Sequence, residues 1–209
     1  MRSGVRTVNT PLAKARARRA FASAERPLRL EIGGLERRPG WVVTNVNAVT
    51  RNFLDATATW PIEDGSSSFV YSDNVIEHVP LEAGRAMFAE AYRCLVPGGV
   101  IRLVTPDIRG HVEKYLAGKA PAGDPAAGVY EQMGLTVDHP VDWLRIPIAS
   151  FGHHEGYLYD FETLTAELER AGFHSIVRCE LGSSTHDALQ GLDQRADEGG
   201  AQMAVEATR

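Results

Sequence analysis

The stretch from Phe69 to Asp107, FVYSDNVIEHVPLEAGRAMFAEAYRCLVPGGVIRLVTPD, leaves the chain few ways to fold. It holds two apolar runs, Phe69-Val70-Tyr71 and Val100-Ile101-Arg102-Leu103-Val104, and between them Phe88, Ala91, Tyr92 and Leu95 recur at helical spacing. The runs read as buried strands and the spacing as the apolar stripe of one helix. Pro97-Gly98-Gly99 is expected to end that helix, because Pro cannot continue it and Gly permits a sharp reversal. Strand, helix, strand is a crossover unit whose strands run parallel. In such a sheet ligands gather at the carboxyl ends of the strands. Those ends carry two polar clusters here, Ser72-Asp73-Asn74 and Thr105-Pro106-Asp107.

A buried sheet needs a core, and 209 residues at 44% hydrophobic content are enough for one α/β domain. The net charge of −5 gives no global field to draw in nucleic acid. Cys94 and Cys179 lie far apart, each inside an element pattern, so no disulfide framework is expected and a reducing cytoplasm is the natural location. No apolar run approaches the roughly 20 residues of a membrane span. The basic start is not followed by the apolar core of a secretory signal. Residues 1–26 are basic and Ala-rich, with Thr10-Pro11 as a helix start. This segment reads as a solvated helix or frayed terminus, or else as a lid or a contact for an anionic substrate.

Leu28-Arg29-Leu30-Glu31-Ile32 alternates, ends in Gly33-Gly34 and reads as the first strand. Only Leu35 to Gly40 separate this turn from the next strand at Trp41-Val42-Val43-Thr44, and they include Pro39-Gly40. Six such residues cannot make a normal helix, so the helix after strand one is reduced to a turn or missing. Phe53-Leu54-Asp55-Ala56 reads as a short third strand and its exit. Asp160 to Gly172 is the clearest helix, with Asp160 as N-cap, Phe161, Leu164, Leu168 and Ala171 as its buried stripe, and Gly172 as its stop. Ser175–Cys179 and Met203–Ala207 read as the last two strands. The polar stretch from Gly182 to Gly200 between them is long for a hairpin loop and reads as partly disordered. Residues 108–159, dense in polar and aromatic groups, read as an insertion over the carboxyl edge of the sheet.

Ser72 to His78, Leu95-Val96-Pro97-Gly98-Gly99 and the following Pro106-Asp107 resemble the class I S-adenosylmethionine-dependent methyltransferases, and within them the sugar O-methyltransferases associated with polysaccharide biosynthesis. The resemblance runs over roughly residues 28–207. It implies a Rossmann-like α/β sheet of seven strands, mostly parallel with the last antiparallel, and helices on both faces. It divides the chain into an N-terminal segment, 1–26, and a methyltransferase domain, 27–209, with 108–159 as the acceptor-binding lid. Glu31, Gly33 and Gly34 then stand in the glycine-rich motif that lets backbone approach the cofactor. Asn45, or else Asn47, takes the place of the usual ribose-binding acid. Asp55 and Ala56 match the pair that reads the adenine edge, and Ser72 and Asn74 would lie by the amino-acid end. The missing helix and the lack of Gly-x-Gly-x-x-Gly spacing argue against a dinucleotide, whose pyrophosphate needs a helix N-terminus. S-adenosylmethionine carries no phosphate and needs only close backbone approach.

Methyl transfer to a sugar hydroxyl needs alignment and a base near neutral pKa, for which histidine is suited. His153 and His154 come first, beside Glu155 and Tyr157, and His78 second. Asp107, Trp143 and Tyr157 are the expected acceptor contacts, since saccharide ring faces stack on aromatics. Asp107, His153 and His154 are also the set that a divalent cation such as magnesium would use, although their spacing is not diagnostic. The expected partner is a sugar or another small-molecule acceptor, with no nucleic acid and no membrane; a homodimer is compatible. A methyltransferase for a small phenol, carboxylate or nitrogen, and an inactive cofactor-binding module, are the alternatives.

Overall fold

The computed structural model describes residues 11–46, 52–118, 123–193 and 201–209. Thr10, Asn47 and residues 194–200 of the long polar connection lie outside the described residues. Six strands form one sheet: β1 (Leu28–Ile32), β2 (Val42–Thr44), β3 (Ser67–Asp73), β4 (Leu95–Pro106), β5 (His174–Cys179) and β6 (Gln202–Thr208), in the order β2-β1-β3-β4-β6-β5. β1 pairs in parallel with β2 and β3, and β3 with β4; β6 runs antiparallel to both β4 and β5. This is the expected mostly parallel sheet with its last strand reversed. The expected third strand is reduced to one parallel bridge, Phe53 to Asn45. Asp55 stops it: its Oδ1 accepts from Thr57 N at 3.0 Å and Thr57 Oγ1 at 2.7 Å, a local turn that competes with further pairing.

The crossover helix α2 (Leu81–Cys94) ends sooner than its stripe implies. Leu95 is extended and opens β4, opposite Ser67, while Val100 is opposite Phe69. The extra residues Val96–Gly99 form a bulge with Gly98 at φ 78°, so the Pro-Gly-Gly run shapes the strand entry rather than the helix end.

Helices α1 (Pro11–Ser23), α2 and α6 (Phe161–Ala171) share one core with the sheet, through Ala17 and Phe21, Met87 and Phe88, and Leu164 and Leu168. α6 is as the sequence predicts: Asp160 caps it by accepting from Thr163 N at 2.8 Å, and Gly172 closes it at φ 103°. The other face differs from expectation. Its cluster of Tyr71, Val100, Val104, Ala204, Leu189 and Leu192 includes no helical residue, so among the described residues helices pack on one face only. The irregular segment 180–193 covers the second face, and it is pinned by Arg102, which is fully buried in β4. Arg102 Nη1 meets Glu206 Oε1 at 2.5 Å, its Nε donates to Asp193 Oδ1 at 3.0 Å and its Nη2 to the Glu180 carbonyl at 3.3 Å. Asp193 in turn accepts from Gly182 N at 2.8 Å.

The insertion begins and ends at one bridge, Asp107 to Tyr159. Within it, α3 (Ile108–Ala117) packs against α5 (Asp142–Ala149), and α5 and α4 (Pro125–Gln132) build a separate apolar cluster on Ala126, Tyr130, Trp143 and Ile146. Residues 119–122 of this segment lie outside the described residues. Among the described residues no helix is long and apolar enough to cross a membrane.

Candidate functional site

Three hollows lie along the carboxyl edge of the sheet. The first, about 330 Å³, is lined by Glu31, Gly33, Gly34, Arg38, Tyr71 and Asp73 among others. Its glycines are required by packing. Gly33 stands at φ 82°, and a Cβ there would come 2.3 Å from Val75 Cγ2; a Cβ on Gly34 would come 2.5 Å from Val43 Cγ1. Asn45 braces this turn, its Nδ2 donating to the carbonyls of Gly33 at 2.9 Å and Gly34 at 3.2 Å. Because no helix follows β1, the chain folds back and brings Arg38 Nε to Glu31 Oε2 at 2.8 Å. The hollow therefore presents two carboxylates, Glu31 and Asp73, together with a guanidinium.

The second hollow, about 450 Å³, lies between the sheet edge and the insertion. Asn74, His78, His111, Tyr130, Phe151 and His153 line it, with Gln202 from β6. Asp73 and Asn74, consecutive at the exit of β3, face the first and second hollows respectively. Two of its lining residues, Asn74 at φ 50° and Phe151 at φ 60°, are non-glycine residues in left-handed backbone, a strain that concentrates at functional sites. Three buried acceptors here, Asn74 Oδ1, His111 Nδ1 and Gln202 Oε1, have no hydrogen-bond partner among the described residues. Native interiors seldom leave such atoms bare, so their convergence marks a place for donors from a ligand.

Pro147 aims two of the histidines. It lies inside α5 and lacks an N–H, so the Trp143 carbonyl one turn earlier loses its helical donor. His111 bonds that carbonyl instead. The carbonyl of Pro147 itself takes His153 Nδ1 at 2.7 Å. Both imidazoles are thus fixed through one nitrogen by backbone, leaving His111 Nδ1 and His153 Nε2 for other work. Burial depresses both, and His111, beside Lys114, falls to about 4.

That depression has a thermodynamic consequence. Between the ordinary histidine value and about 4, the unfolded chain binds a proton at His111 that the folded chain does not. Stability is therefore fully present above pH 6.5 and falls as the pH is lowered, by roughly 3 kcal/mol once the folded value is passed. Urea midpoints at pH 7 and pH 4.5 in the wild type and His111→Gln check this. The loss on acidification should be smaller in the variant by about 2–3 kcal/mol.

The other expected site residues are distributed as follows. Asp55, half-buried, lines a third hollow of about 140 Å³ with Phe53 and with Lys14 and Arg18 of α1. Ala56 is buried beside it, its carbonyl accepting from Trp60 Nε1 at 3.2 Å. Ser72 is buried at the end of β3, and its Oγ has no hydrogen-bond partner among the described residues. Asp107 is occupied structurally: Oδ1 caps α3 through Arg109 N at 3.0 Å and Oδ2 takes Arg178 Nη2 at 2.6 Å. Trp143 is buried in the insertion's own cluster, under Lys114 Nζ at 4.8 Å from its ring, and so serves packing. Tyr157 packs edge-on to Tyr159 at 5.0 Å, against the main core. His154 is half-exposed beside Glu155.

The expected cation set of Asp107, His153 and His154 is not brought together. Asp107 is held by Arg178 and the α3 cap, while successive residues of a tight turn send His153 inward and His154 outward. His153 meets Glu77 and His78 instead. Sequence reasoning missed His111, Tyr130 and Gln202, while Phe151 is one of the aromatics that suit a saccharide. His111 had a readable signal, since it lies in the first turns of a helix that begins at a strand's carboxyl end.

The family described as "Methyltransferase domain" matches residues 18–103. Among solved structures, the CurJ carbon methyltransferase is similar at a TM-score of 0.50 and 12% identity, over 96% of this chain and 55% of that one. An S-adenosylmethionine-dependent methyltransferase from Archaeoglobus fulgidus gives 0.48 and 15%, over 95% and 93%. Phosphoethanolamine N-methyltransferase 2 from Haemonchus contortus, in complex with S-adenosylhomocysteine, gives 0.48 and 18%, over 95% and 52%. The chain thus spans about half the length of the first and third of these. A comparison with curated protein sequences gives no match. The chain shares the fold of the CurJ carbon methyltransferase, and its residues 18–103 match the methyltransferase-domain family.

Proposed function

We propose that this chain is an S-adenosylmethionine-dependent methyltransferase that methylates a hydroxyl of a sugar or oligosaccharide. One observation carries the reading. Within a methyltransferase fold, a hollow at the glycine turn and a histidine-lined hollow meet at Asp73-Asn74. The first hollow suits an amino-acid tail, with Glu31 and Asp73 for its ammonium and Arg38 for its carboxylate. The bare Ser72 Oγ adds a hydroxyl at the same edge. Gly33, Gly34 and Asn45 would border the ribose, and Asp55 and Ala56 the adenine.

When bound, S-adenosylmethionine supplies a methyl group activated on a sulfonium. The chain's own part is to align the acceptor and remove its proton. Tyr130 and Phe151 offer ring faces to a saccharide, and Asn74 Oδ1 and Gln202 Oε1 accept from its hydroxyls. The proton acceptor is a neutral imidazole of this hollow, His111 or His153. His154, at the surface, is left out of the chemistry.

Calorimetry with S-adenosylhomocysteine tests the cofactor claim, and absence of binding removes it. Asp55→Ala should weaken that binding by about 10-fold, the worth of one charge-assisted hydrogen bond. An acceptor panel with labelled methyl donor tests the sugar: label entering only phenols, carboxylates or amines redirects the assignment.

A further inference from the structure

We propose that Glu77, His78 and His153 form a binding site for one first-row divalent metal ion in the wall of the acceptor hollow. The ion-binding claim stands on the geometry alone; its role in catalysis rests on the methyltransferase reading above. One ligand atom from each of the three residues lies within 4.8 Å of the others. Three donors each about 2.1 Å from one ion in tetrahedral geometry lie about 3.4 Å apart, so a side-chain closure of up to about 1.4 Å completes the set. His153 is already oriented as a ligand, with Nδ1 on the Pro147 carbonyl at 2.7 Å and Nε2 therefore carrying the lone pair. Glu77 is fully buried, and the Thr105 hydroxyl donates to its Oε2 at 3.2 Å. This is the outer hydrogen bond that commonly steadies a ligating carboxylate. His78 Nε2 is 3.9 Å from the other carboxylate oxygen, and its ring centroid is 4.8 Å from that of His153.

The backbone is built to make this meeting. His153 arrives on a one-turn helix, His153–Glu155, that packs against another, Ile76–His78. Gly156 permits the approach: a Cβ there would be 1.9 Å from the Glu77 carbonyl oxygen. Phe151 at φ 60° and Gly152 at φ 92° turn the chain out of α5 to deliver it. Two imidazoles and a carboxylate suit zinc, manganese, cobalt or iron better than magnesium, which prefers an all-oxygen shell. Three protein ligands leave positions open toward the hollow, where half-exposed His78 provides the entry path.

The open positions suit two neighbouring oxygens of an acceptor, which the ion would orient and polarise. With His153 a ligand, His111 remains as the base. The hydroxyl proton passes to His111 Nδ1, and an oxygen electron pair forms the bond to the methyl carbon. The carbon–sulfur bond breaks with its pair going to sulfur, giving the methyl ether and the neutral thioether.

Equilibrium dialysis of untagged full-length protein against Zn(II), Mn(II) and Co(II) tests the site, with the Co(II) absorption spectrum reporting imidazole ligation. One ion per chain is expected, bound about 100-fold more weakly after His78→Ala and after His153→Ala, and unchanged after His154→Ala. Circular dichroism confirms folding, and half-exposed His78 keeps the test sound should the His153 variant fail to fold. No bound ion in the wild type, or undiminished affinity in a folded His78→Ala, overturns the site. Calorimetry with S-adenosylhomocysteine on the same samples separates the two claims. Nucleoside binding without an ion removes the metal alone, and an ion without nucleoside binding removes the methyltransferase reading alone.

Discussion

Arg102→Ala is expected to destabilise the chain by about 3–5 kcal/mol, the usual cost of removing one partner from a buried ion network. The guanidinium is fully buried and shared between Asp193 and Glu206, both nearly inaccessible to solvent. Alanine would leave two carboxylates in the interior without their cation, and would release the Glu180 carbonyl as well. For a chain of this size the loss corresponds to roughly 10 °C in Tm. Urea denaturation of the two proteins measures it. A control separates charge from packing: Arg102→Met combined with Asp193→Leu and Glu206→Leu should recover most of the stability, because a well-packed apolar replacement of a buried network is often neutral. A cost under about 1 kcal/mol for Arg102→Ala would mean that the network does not clamp the covering segment.

Arg102 also shows where sequence reading stops. The apolar run Val100-Ile101-Arg102-Leu103-Val104 reads as a buried strand, and Ile101 and Leu103 do face the helical core. A buried strand bearing one arginine offers no local clue to its partners, which arrive from Asp193 and Glu206 far along the chain. The missing helix after β1 was legible because six residues with Pro39-Gly40 cannot make one. That helices would be confined to one face was not, since it depends on whether the 180–193 segment can cover Tyr71, Val100 and Val104 without regular structure. The third strand was lost for a local reason, the turn made by Asp55 and Thr57, which the sequence contains but which competes closely with pairing.

At the site, the polar exits of the strands were legible and the inner histidine was half legible. His153 could be placed in the aromatic insertion, but not its inward aim, which comes from a carbonyl of a proline-bearing helix. His154, next to it in the chain, points out. Asp107 looked free because it follows a strand, yet a helix begins at the next residue and takes it as a cap. Trp143 illustrates the general bias: a large aromatic in an insertion is more often needed for that insertion's own core than for a ligand.

His111→Gln should lower turnover by about 10²-fold, the low end of the range for a general base, because a base held down to about 4 is weaker than one near neutrality. Glutamine keeps an amide N–H able to reach the Trp143 carbonyl and a similar volume, but has no nitrogen that can take a proton. Affinity for S-adenosylhomocysteine should stay within about 2-fold, since His111 lines the acceptor hollow and not the one at the glycine turn. The pH profile supplies the sign. With His111 held down to about 4, the base stays unprotonated well below neutrality, so kcat/KM should hold level toward pH 5 as far as this group governs it. An exposed base would instead lose activity through the ordinary histidine range, near pH 6.5. His154→Ala, changed at the surface, should keep full rate. Full activity in His111→Gln with a steep loss below pH 7 would move the proton transfer to another residue.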